Sequence, residues 1–487
     1  MLLILKGLVM SLTTSLLHAR SGMIAAQSGL DVVSRNIANA ETEGYTKKSH
    51  NQENLVIGGV GRGVKTNEVT RKVNDNLLRE LRDQNASIEK LDVLDEFLGR
   101  LELEFGKPGD RKSIADKVTA LKSAFQTLSS APESSSNALA LVTAADDLAR
   151  SFNSFNNLIQ ELRAEADNRI SDFVGSINND LGLIKDLNTQ IGQRNAAEKS
   201  TADLEDQRDQ LLLSINKNIS IGSFKRSNDR LTISTADGRL MLDDTQIPLA
   251  FNSTSSFVAT TTGNGVTLGG VDITANIKTR DGVISGLLTL RDTVLPQFQT
   301  KLDDLALGIA KQLDVVDVGG GASEALNLFT DSAGNAPAAF TPADNFTAGF
   351  AGTIQVRAAL KTDPSLITDP AGGYTTLGSS DNKLQLAILA LFEGQTSLSQ
   401  VPTVNNTIEG FAASLVGDVA TSKAEYETQL KFQTVFRDQI RDRIENESGV
   451  NTDEELTNLI TLEAAFGASA RVLNAVQRAF DEVINIL

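Results

Sequence analysis

The chain of 487 residues contains no cysteine, no tryptophan and only two histidines. Without cysteine there are no disulfides, no thiolate chemistry and no cysteine-ligated metal site. His18 lies in an amphipathic helical pattern and His50 in a polar loop, and neither joins a catalytic or metal-binding set of residues. No Walker A motif occurs, and the glycine-rich run from Gly59 to Val64 lacks the third glycine of a dinucleotide-binding turn. The sequence therefore predicts a protein that is not an enzyme and uses no cofactor or metal.

Basic residues are also in deficit, since 45 Lys and Arg face 62 Asp and Glu and leave a net charge of −17. Nucleic acid is an unfavourable partner for such a surface. We expect no membrane insertion, because no stretch reaches transmembrane length. The apolar opening up to Met10 lacks the basic start and the cleavage site of a signal peptide. We expect residues 1–9 to be an unstructured extension, or translation to start at Met10.

Apolar residues recur at alternating steps of three and four near both ends of the chain, which is the pattern of a coiled-coil seam. The N-terminal stripe comprises Leu12, Leu16, Ala19, Met23, Ala26, Leu30, Val33 and Ile37, and the C-terminal stripe comprises Leu459, Leu462, Phe466, Ser469, Leu473, Val476, Phe480, Val483 and Leu487. Burying one stripe does not offset the cost of ordering its helix. Each helix therefore needs a partner, first the other terminus and then another copy of the chain. We predict that the large apolar members of both stripes form an assembly interface.

A third apolar pattern, from Leu148 to Ile191, has a mean step of about 3.6 residues. It predicts a helix over about 138–193, roughly 80 Å long at ~1.5 Å per residue. Few globular domains hold a helix of this length. The pattern thus favours a fibrous or filament-forming role.

The order of the patterns predicts a mainly α fold with an inserted β-rich domain. A long helical stem is formed by the N- and C-terminal segments, which end in coiled coils. The predicted segments are 1–39 (N-terminal coiled-coil helix), 40–218 (helical stem), 219–282 (β-rich outer domain), 283–317 (returning helix), 318–380 (loop-rich α/β) and 381–487 (C-terminal stem and coiled-coil helix).

Two local features carry further expectations. Thr452 is the predicted N-cap of the last helix. Asp203, Glu205, Asp206 and Asp209 cluster near Arg208. On a helix their side chains point in several directions, so we expect a solvated or capping role for them rather than a metal site.

The run from Ser34 to Thr46 resembles the N-terminal signature of the bacterial flagellar rod, hook and hook-associated proteins, in which Asn-Ile-Ala-Asn leads to Thr-x-Gly-Tyr. The matching residues are Asn36, Asn39, Thr42, Gly44 and Tyr45. Asn39 can end the helix, Gly44 permits a turn, and Tyr45 can anchor the loop on the stem.

Three further segments resemble the hook-associated members of this family: residues 118–155, residues 202–212 and the entry to the last helix from Ser448. The resemblance implies a structural protein of the hook–filament junction, whose copies stack on the distal hook through their terminal helices. It also implies several partners. These are the hook protein, a second junction protein (hook-associated protein 3), further copies of the chain, and an export chaperone that binds the C-terminal helix. The resemblance further implies secretion through the flagellar export apparatus without a cleaved signal, and hence a location outside the cell, in the flagellum at the hook–filament junction.

Three other functions remain open from the sequence. A hook or distal rod subunit shares the N-terminal signature but usually lacks the long helix. A coiled-coil scaffold unrelated to flagella requires the match at Asn39–Tyr45 to arise by chance. An enzyme in the β-rich segment would need a cluster of ionisable groups, of which the sequence gives no sign.

Overall fold

The computed structural model describes residues 2–57, 59–106, 112–226, 229–319, 322–335, 348–368, 381–394 and 407–486. Within these ranges the chain is mainly helical and carries small antiparallel sheets of two or three strands, as predicted. The helices are α1 (Leu2–Ala38), α2 (Asp75–Phe105), α3 (Ile114–Ser130), α4 (Ser135–Ala196), α5 (Ala202–Asn218), α6 (Thr274–Lys278), α7 (Val283–Thr289), α8 (Leu295–Gln312), α9 (Ala358–Thr362), α10 (Lys383–Glu393), α11 (Ile408–Ser448) and α12 (Thr452–Ile486).

The strands pair antiparallel in the orders β1-β4, β2-β3, β5-β6-β7, β8-β9-β10, β11-β12 and β13-β14. They are β1 (Lys48–Ser49), β2 (Gln52–Ile57), β3 (Val60–Thr66), β4 (Thr70–Arg71), β5 (Ile221–Lys225), β6 (Leu231–Thr235), β7 (Leu240–Leu242), β8 (Leu249–Ala250), β9 (Thr267–Leu268), β10 (Val271–Asp272), β11 (Val315–Gly319), β12 (Ala322–Ala325), β13 (Phe329–Thr330) and β14 (Gln355–Val356).

Packing divides the chain into two compact units, each built from separated segments. Unit 1 comprises Met1–Ala86, Ser176–Pro248 and Gln433–Leu487. Unit 2 comprises Ser87–Gly175 and Leu249–Phe432. Because the boundaries fall inside α2, α4 and α11, each of these helices contributes residues to both units.

The α4 helix follows directly from its apolar period. It extends three residues beyond each predicted end, and the stripe positions Phe152, Ile159, Ile170, Ile177 and Ile184 are buried. Ser113 is the N-cap of α3 and forms a capping box, in which its hydroxyl accepts from the Asp116 amide. In unit 2, aromatic contacts join pairs of helices. The ring centroids of Phe105 on α2 and Phe155 on α4 are 4.4 Å apart, and those of Phe125 on α3 and Phe392 on α10 are 6.3 Å apart.

The predicted β-rich segment forms two separate three-stranded sheets that belong to different units. Each sheet is tied to its own part of α4. In unit 1, the Asn188 side chain donates to the Leu231 carbonyl and accepts from the Leu231 amide. In unit 2, the buried Asp167 accepts from the Thr254 amide and pairs with Arg291. The α4 helix thus anchors two small sheets in place of one inserted sheet.

Three local features differ from the predicted segments. The expectation of an unstructured extension over residues 1–9 is wrong, because α1 already begins at Leu2. The segment 40–218, predicted as helical stem, begins with short strands that include the β2–β3 hairpin, in which glycines at several strand positions leave no regular alternation of apolar residues. The returning helix predicted over 283–317 is divided into α7 and α8 by a π-helical turn over Leu290–Val294, and Pro296 lies in the first turn of α8, where a proline is tolerated.

Candidate assembly interface

The two terminal helices pack against each other in an antiparallel pair within unit 1. A Cβ atom added at Gly29 would lie 2.9 Å from a Leu462 methyl carbon, and one added at Gly22 would lie 3.2 Å from the Ser469 hydroxyl. Glycine on α1 therefore lets the α12 helix approach closely. The contact with Gly22 also explains Ser469, the one polar member of the C-terminal stripe.

The predicted stripes face each other inside one chain. On α1, Ala19, Ala26 and Val33 are buried, and Leu12, Leu16, Met23, Leu30 and Ile37 are half-buried. On α12, Val476 is buried, and Leu459, Leu462, Phe466, Ser469, Leu473, Phe480 and Val483 are half-buried. Leu487 lies outside the described residues. The pairing of the two termini is therefore observed, whereas a role of these residues between copies stays a prediction.

Asn36, the first of the five motif residues from Asn36 to Tyr45, is buried near the end of α1. Its side-chain NH2 donates to the Glu455 carboxylate and to the Lys48 carbonyl, both at 2.9 Å. Its side-chain oxygen accepts from the Tyr45 hydroxyl at 2.9 Å and from the Lys48 amide at 3.0 Å. One amide thus uses its hydrogen-bonding groups to join α1, the following loop and the start of α12.

The rest of the motif shapes that loop. The Asn39 side chain donates to the Arg35 carbonyl, and Thr42 donates to the Asn39 side-chain oxygen, so both stabilise the end of α1 locally. Gly44 adopts φ +78°, and a Cβ atom there would lie 1.8 Å from the Gln210 side-chain nitrogen. Burial and the nearby Asp203 raise the pKa of Tyr45 to about 12, which keeps its hydroxyl protonated as a donor.

The acidic cluster on α5 is more than a solvated face. The carboxylate of Asp206 accepts from the Thr46 hydroxyl at 2.7 Å and forms a short ion pair with the buried Lys48. The Arg71 guanidinium contacts Glu205, Asp206 and Asp209, at 2.9, 3.0 and 2.6 Å. The expected solvated role is therefore wrong for these three acids. The cations that contact these acids, Lys48 and Arg71, belong to strands β1 and β4, which are distant from α5 in the sequence. The helical pattern of α5 alone could not indicate these contacts.

These charges alter the titration of their partners. Burial alone would raise the pKa of Glu205, but the Arg71 guanidinium, the hydrogen bond from Thr201 and further cations together outweigh burial, and the pKa is lowered. Burial likewise opposes the charge on Arg71, and the carboxylates of Asp209 and Glu205 outweigh it, so the pKa of Arg71 is raised. Both shifts favour the charged forms of Glu205 and Arg71.

A further set of contacts fixes the start of α12. The Lys47 ammonium lies 2.9 Å from Glu454 and 3.1 Å from Glu455, and the Lys47 amide donates to the Ser448 carbonyl. The Asn451 side chain accepts from the amides of Asp453 and Glu454. Asn451 is therefore the N-cap, and the prediction of Thr452 was wrong by one residue, since Asn caps helices at least as well as Thr.

The β2–β3 hairpin lies along α1. The His18 ring nitrogen contacts the Gly61 carbonyl at 3.0 Å, and the Val64 amide donates to the Ser21 hydroxyl. The His50 ring contacts the Ser28 hydroxyl, and burial lowers the pKa of this histidine. Both histidines thus hold the loop region against α1.

A cavity of about 490 Å³ opens beneath the loop, lined by Tyr45, Arg71, Arg82, Leu213 and Ile444 among others.

Among the described residues, no group of three or more His, Asp or Glu side chains is placed to hold a metal ion. By length and composition alone, the stretch Ile408–Asn485 contains one 18-residue window apolar enough to span a membrane, contrary to expectation, and only 6% of that window is buried.

Three family models match separate parts of the chain. The model described as the flagellar hook-associated protein FlgK helical domain matches residues 98–324. The flagella basal body rod protein model matches residues 16–46, and the flagellar basal body rod FlgEFG protein C-terminal model matches residues 444–486. The two rod models thus cover the paired termini, and the helical-domain model covers most of the chain between α2 and β12.

Curated proteins are similar over nearly their whole length. Flagellar hook-associated protein 1 of Escherichia coli (strain K12) is 26% identical over 96% of this chain and 99% of its own. The protein of the same name from Bacillus subtilis (strain 168) is 24% identical over 96% of this chain and 97% of its own. The solved flagellar hook junction protein FlgK from Burkholderia pseudomallei shares the fold, with a TM-score of 0.58 and 13% identity over 75% of this chain and 99% of that one.

Proposed function

The chain belongs to the flagellar hook-associated protein 1 family, and we propose that its copies form a layer on the distal hook that supports assembly of the filament. It is a structural component of the flagellum and not an enzyme. The FlgK helical domain distinguishes it from the rod and hook subunits that share its termini.

Self-association of the terminal helices holds this layer together. The observation that supports this proposal is the exposure of the α1–α12 pair. The stripe residues are buried or half-buried between the two helices, but most other positions on α12 are exposed. A two-helix element with this much exposed surface gains stability from burial in an assembly. The stripes from Leu12 to Ile37 and from Leu459 to Val483 hold α1 and α12 together within one chain, and the resulting helix pair is the element that associates with other copies.

The partners proposed for the two ends of the layer are the hook protein on one side and hook-associated protein 3 on the other. An export chaperone covers the C-terminal helix before assembly, since an amphipathic helix needs its apolar face shielded until its partners are present. The protein leaves the cell through the flagellar export apparatus without a cleaved signal, and the β-rich segment 219–282 faces outward.

Electron microscopy of a strain lacking the gene tests the proposal. We expect hooks without filaments, and restoration of filaments by the full chain but not by a chain lacking residues 453–487. Normal filaments on the deletion strain would contradict the proposed role, and normal filaments with the truncated chain would contradict the role of α12.

A further inference from the structure

A second cavity lies wholly within unit 2, between the middle of α4 and two irregular loops. The first loop, residues 257–260, lies between β8 and β9, and the second, residues 348–353, precedes β14. The cavity has a volume of about 520 Å³, within the range of about 300–1,000 Å³ that small-molecule sites occupy. The α4 residues that line it are Asn156, Asn157, Gln160 and Glu161.

The first loop is fixed by Arg163, a residue of α4 that is only 2% exposed. The Arg163 guanidinium donates to the carbonyls of Val258 at 3.0 Å and Thr261 at 2.6 Å, and it lies 4.8 Å from the centre of the Phe257 ring. Within the described ranges no carboxylate forms an ion pair with it. Because burial of an unpaired charge is costly, these bonds strongly constrain the position of the loop.

The second loop is fixed by a buried group of opposite charge. The carboxylate of Asp303 on α8, which is 1% exposed, accepts from the amides of Gly349 at 2.8 Å and Ala351 at 2.9 Å. From α4, the Asn153 side chain donates to the carbonyls of Ala351 at 2.8 Å and Ile354 at 3.2 Å. Both loop walls of the cavity are therefore preorganised.

Polar side chains remain available to meet a ligand in the cavity. The Asn156 side chain donates to the Asn157 side-chain oxygen at 3.2 Å. The Asn156 oxygen, the Asn157 NH2 group, the Glu161 carboxylate and the Thr260 hydroxyl have no further partner in the described part of the chain. Together these groups offer both donors and acceptors. The cavity thus suits a ligand that is rich in hydrogen-bonding groups.

The charge and shape of the lining narrow the class of ligand. No Lys, Arg or His is among the described lining residues, and Glu161 adds a negative charge, so an anion is disfavoured. Val258, which is 58% exposed, and Ala259 present apolar surface beside the polar groups. A sugar has the matching form, because its hydroxyls donate and accept while its C–H groups form an apolar face.

A peptide matches this cavity less well. An extended peptide binds mainly through backbone hydrogen bonds. On the two loop walls, the carbonyls of Val258 and Ala351 already accept from Arg163 and Asn153, and the Gly349 amide already donates to a carboxylate. The walls therefore offer side-chain groups in place of a free row of backbone groups.

We propose that this cavity binds a neutral carbohydrate through the side chains of Asn156, Asn157, Glu161 and Thr260. The site goes beyond the proposed role in the flagellum and does not depend on it. Arg163 and Asp303 act as positioning residues, since each fixes one loop of the cavity wall.

Saturation-transfer NMR of the purified full-length chain tests the proposal with galactose, mannose and N-acetylglucosamine. We expect saturation transfer to one or more of these sugars. Asn157→Ala and Thr260→Ala each remove a hydrogen bond and are expected to weaken binding by about fivefold. Asn168→Ala, at an exposed position of α4 outside the cavity lining, is the matched control and leaves binding unchanged. Circular dichroism of each variant checks that folding is unaltered.

The absence of transfer to every one of these sugars would overturn the proposal, and so would transfer that both variants leave unchanged. Transfer to N-acetylalanine methylamide, a blocked amino acid, in place of the sugars would overturn it in favour of a peptide.

A change of charge tests the specificity of the site. N-Acetylneuraminate, an anionic sugar, is expected to bind the unaltered chain more weakly than the neutral sugars do, and Glu161→Gln is expected to strengthen its binding. Asp172→Asn, an equal change of charge at an exposed site on α4, is the control and has no effect. An unaltered chain that binds N-acetylneuraminate as tightly as the neutral sugars would contradict the proposal.

Discussion

The amide of Asn36 donates a hydrogen bond of 2.9 Å to the carboxylate of Glu455, although the two residues are 419 positions apart. Both are buried, and the bond joins the end of the first helix to the first turn of the last. The same amide binds Lys48 and Tyr45. The family motif thus holds the two termini together at one polar joint.

Replacing Asn36 with Ala removes the side-chain partner of the Lys48 backbone groups and of the Tyr45 hydroxyl, and it removes one of the two partners of the Glu455 carboxylate, which keeps Lys47. Each such group costs about 1–3 kcal/mol, so we expect a loss of roughly 3 kcal/mol or more in local stability. Hydrogen exchange of the Lys48 amide measures this loss. Asn39→Ala, which removes only local bonds at the helix end, is the control and costs about 1 kcal/mol. Equal losses of protection in Asn36→Ala and Asn39→Ala would contradict the role of Asn36 in linking the two termini.

Gly44→Ala introduces two separate strains. The positive φ costs about 1–2 kcal/mol for a residue with a Cβ atom, and the new Cβ meets the Gln210 side chain. Gly59→Ala is the matched control, because Gly59 has φ +82° with no atom near its missing Cβ. We expect Gly44→Ala to be the more destabilising in thermal unfolding and Gln210→Ala to restore part of the loss. Failure of that rescue would show that no contact with Gln210 contributes.

Acid weakens unit 1 through Glu205. Its folded-state pKa is lowered below the ordinary 4.5, so its stabilisation is complete above about that pH and is lost as pH falls through the folded-state pKa. We expect hydrogen-exchange protection of α5 to decline below about pH 4.5. The variant Arg71→Gln makes this decline shallower because it removes the charge that lowers the pKa.

The exposed pair of Arg226 and Asp243 supplies the control for this titration. Arg226→Gln leaves the pH profile of α5 unchanged, because surface ion pairs contribute little. An Arg71→Gln profile identical to that of the unaltered chain would contradict the role of the cluster.

Two aspartate substitutions on α12 separate the inner and outer faces. Leu462→Asp places a charge against Gly29 of α1 and is expected to cost about 2–4 kcal/mol of pairing stability in the isolated chain. Ile460→Asp, two residues away on the exposed face, leaves that stability within about 0.5 kcal/mol. Limited proteolysis of α1 and α12 in the purified chain compares them. Equal protection of the two variants would contradict the observed packing.

The long helices could be predicted because their apolar residues are spaced for one face over many turns, as from Phe152 to Ile184. The joint could be predicted only in part. Asn36 and Tyr45 were found through a motif, whereas the ion pairs of Arg71 depend on a strand 134 positions before Glu205, which no local period reveals. The seam of Leu462 and Phe466 predicts that α12 needs a partner and that the other terminus is the first one, and α12 does pack on α1.

Because Asn36 closes on Glu455, the joint cannot form until both ends of the polypeptide are present together. A copy cut short before α12 lacks the Glu455 carboxylate that accepts from the Asn36 side-chain NH2. The hydrogen bond between Asn36 and Glu455 therefore requires a chain that has been synthesised through both α1 and the first turn of α12.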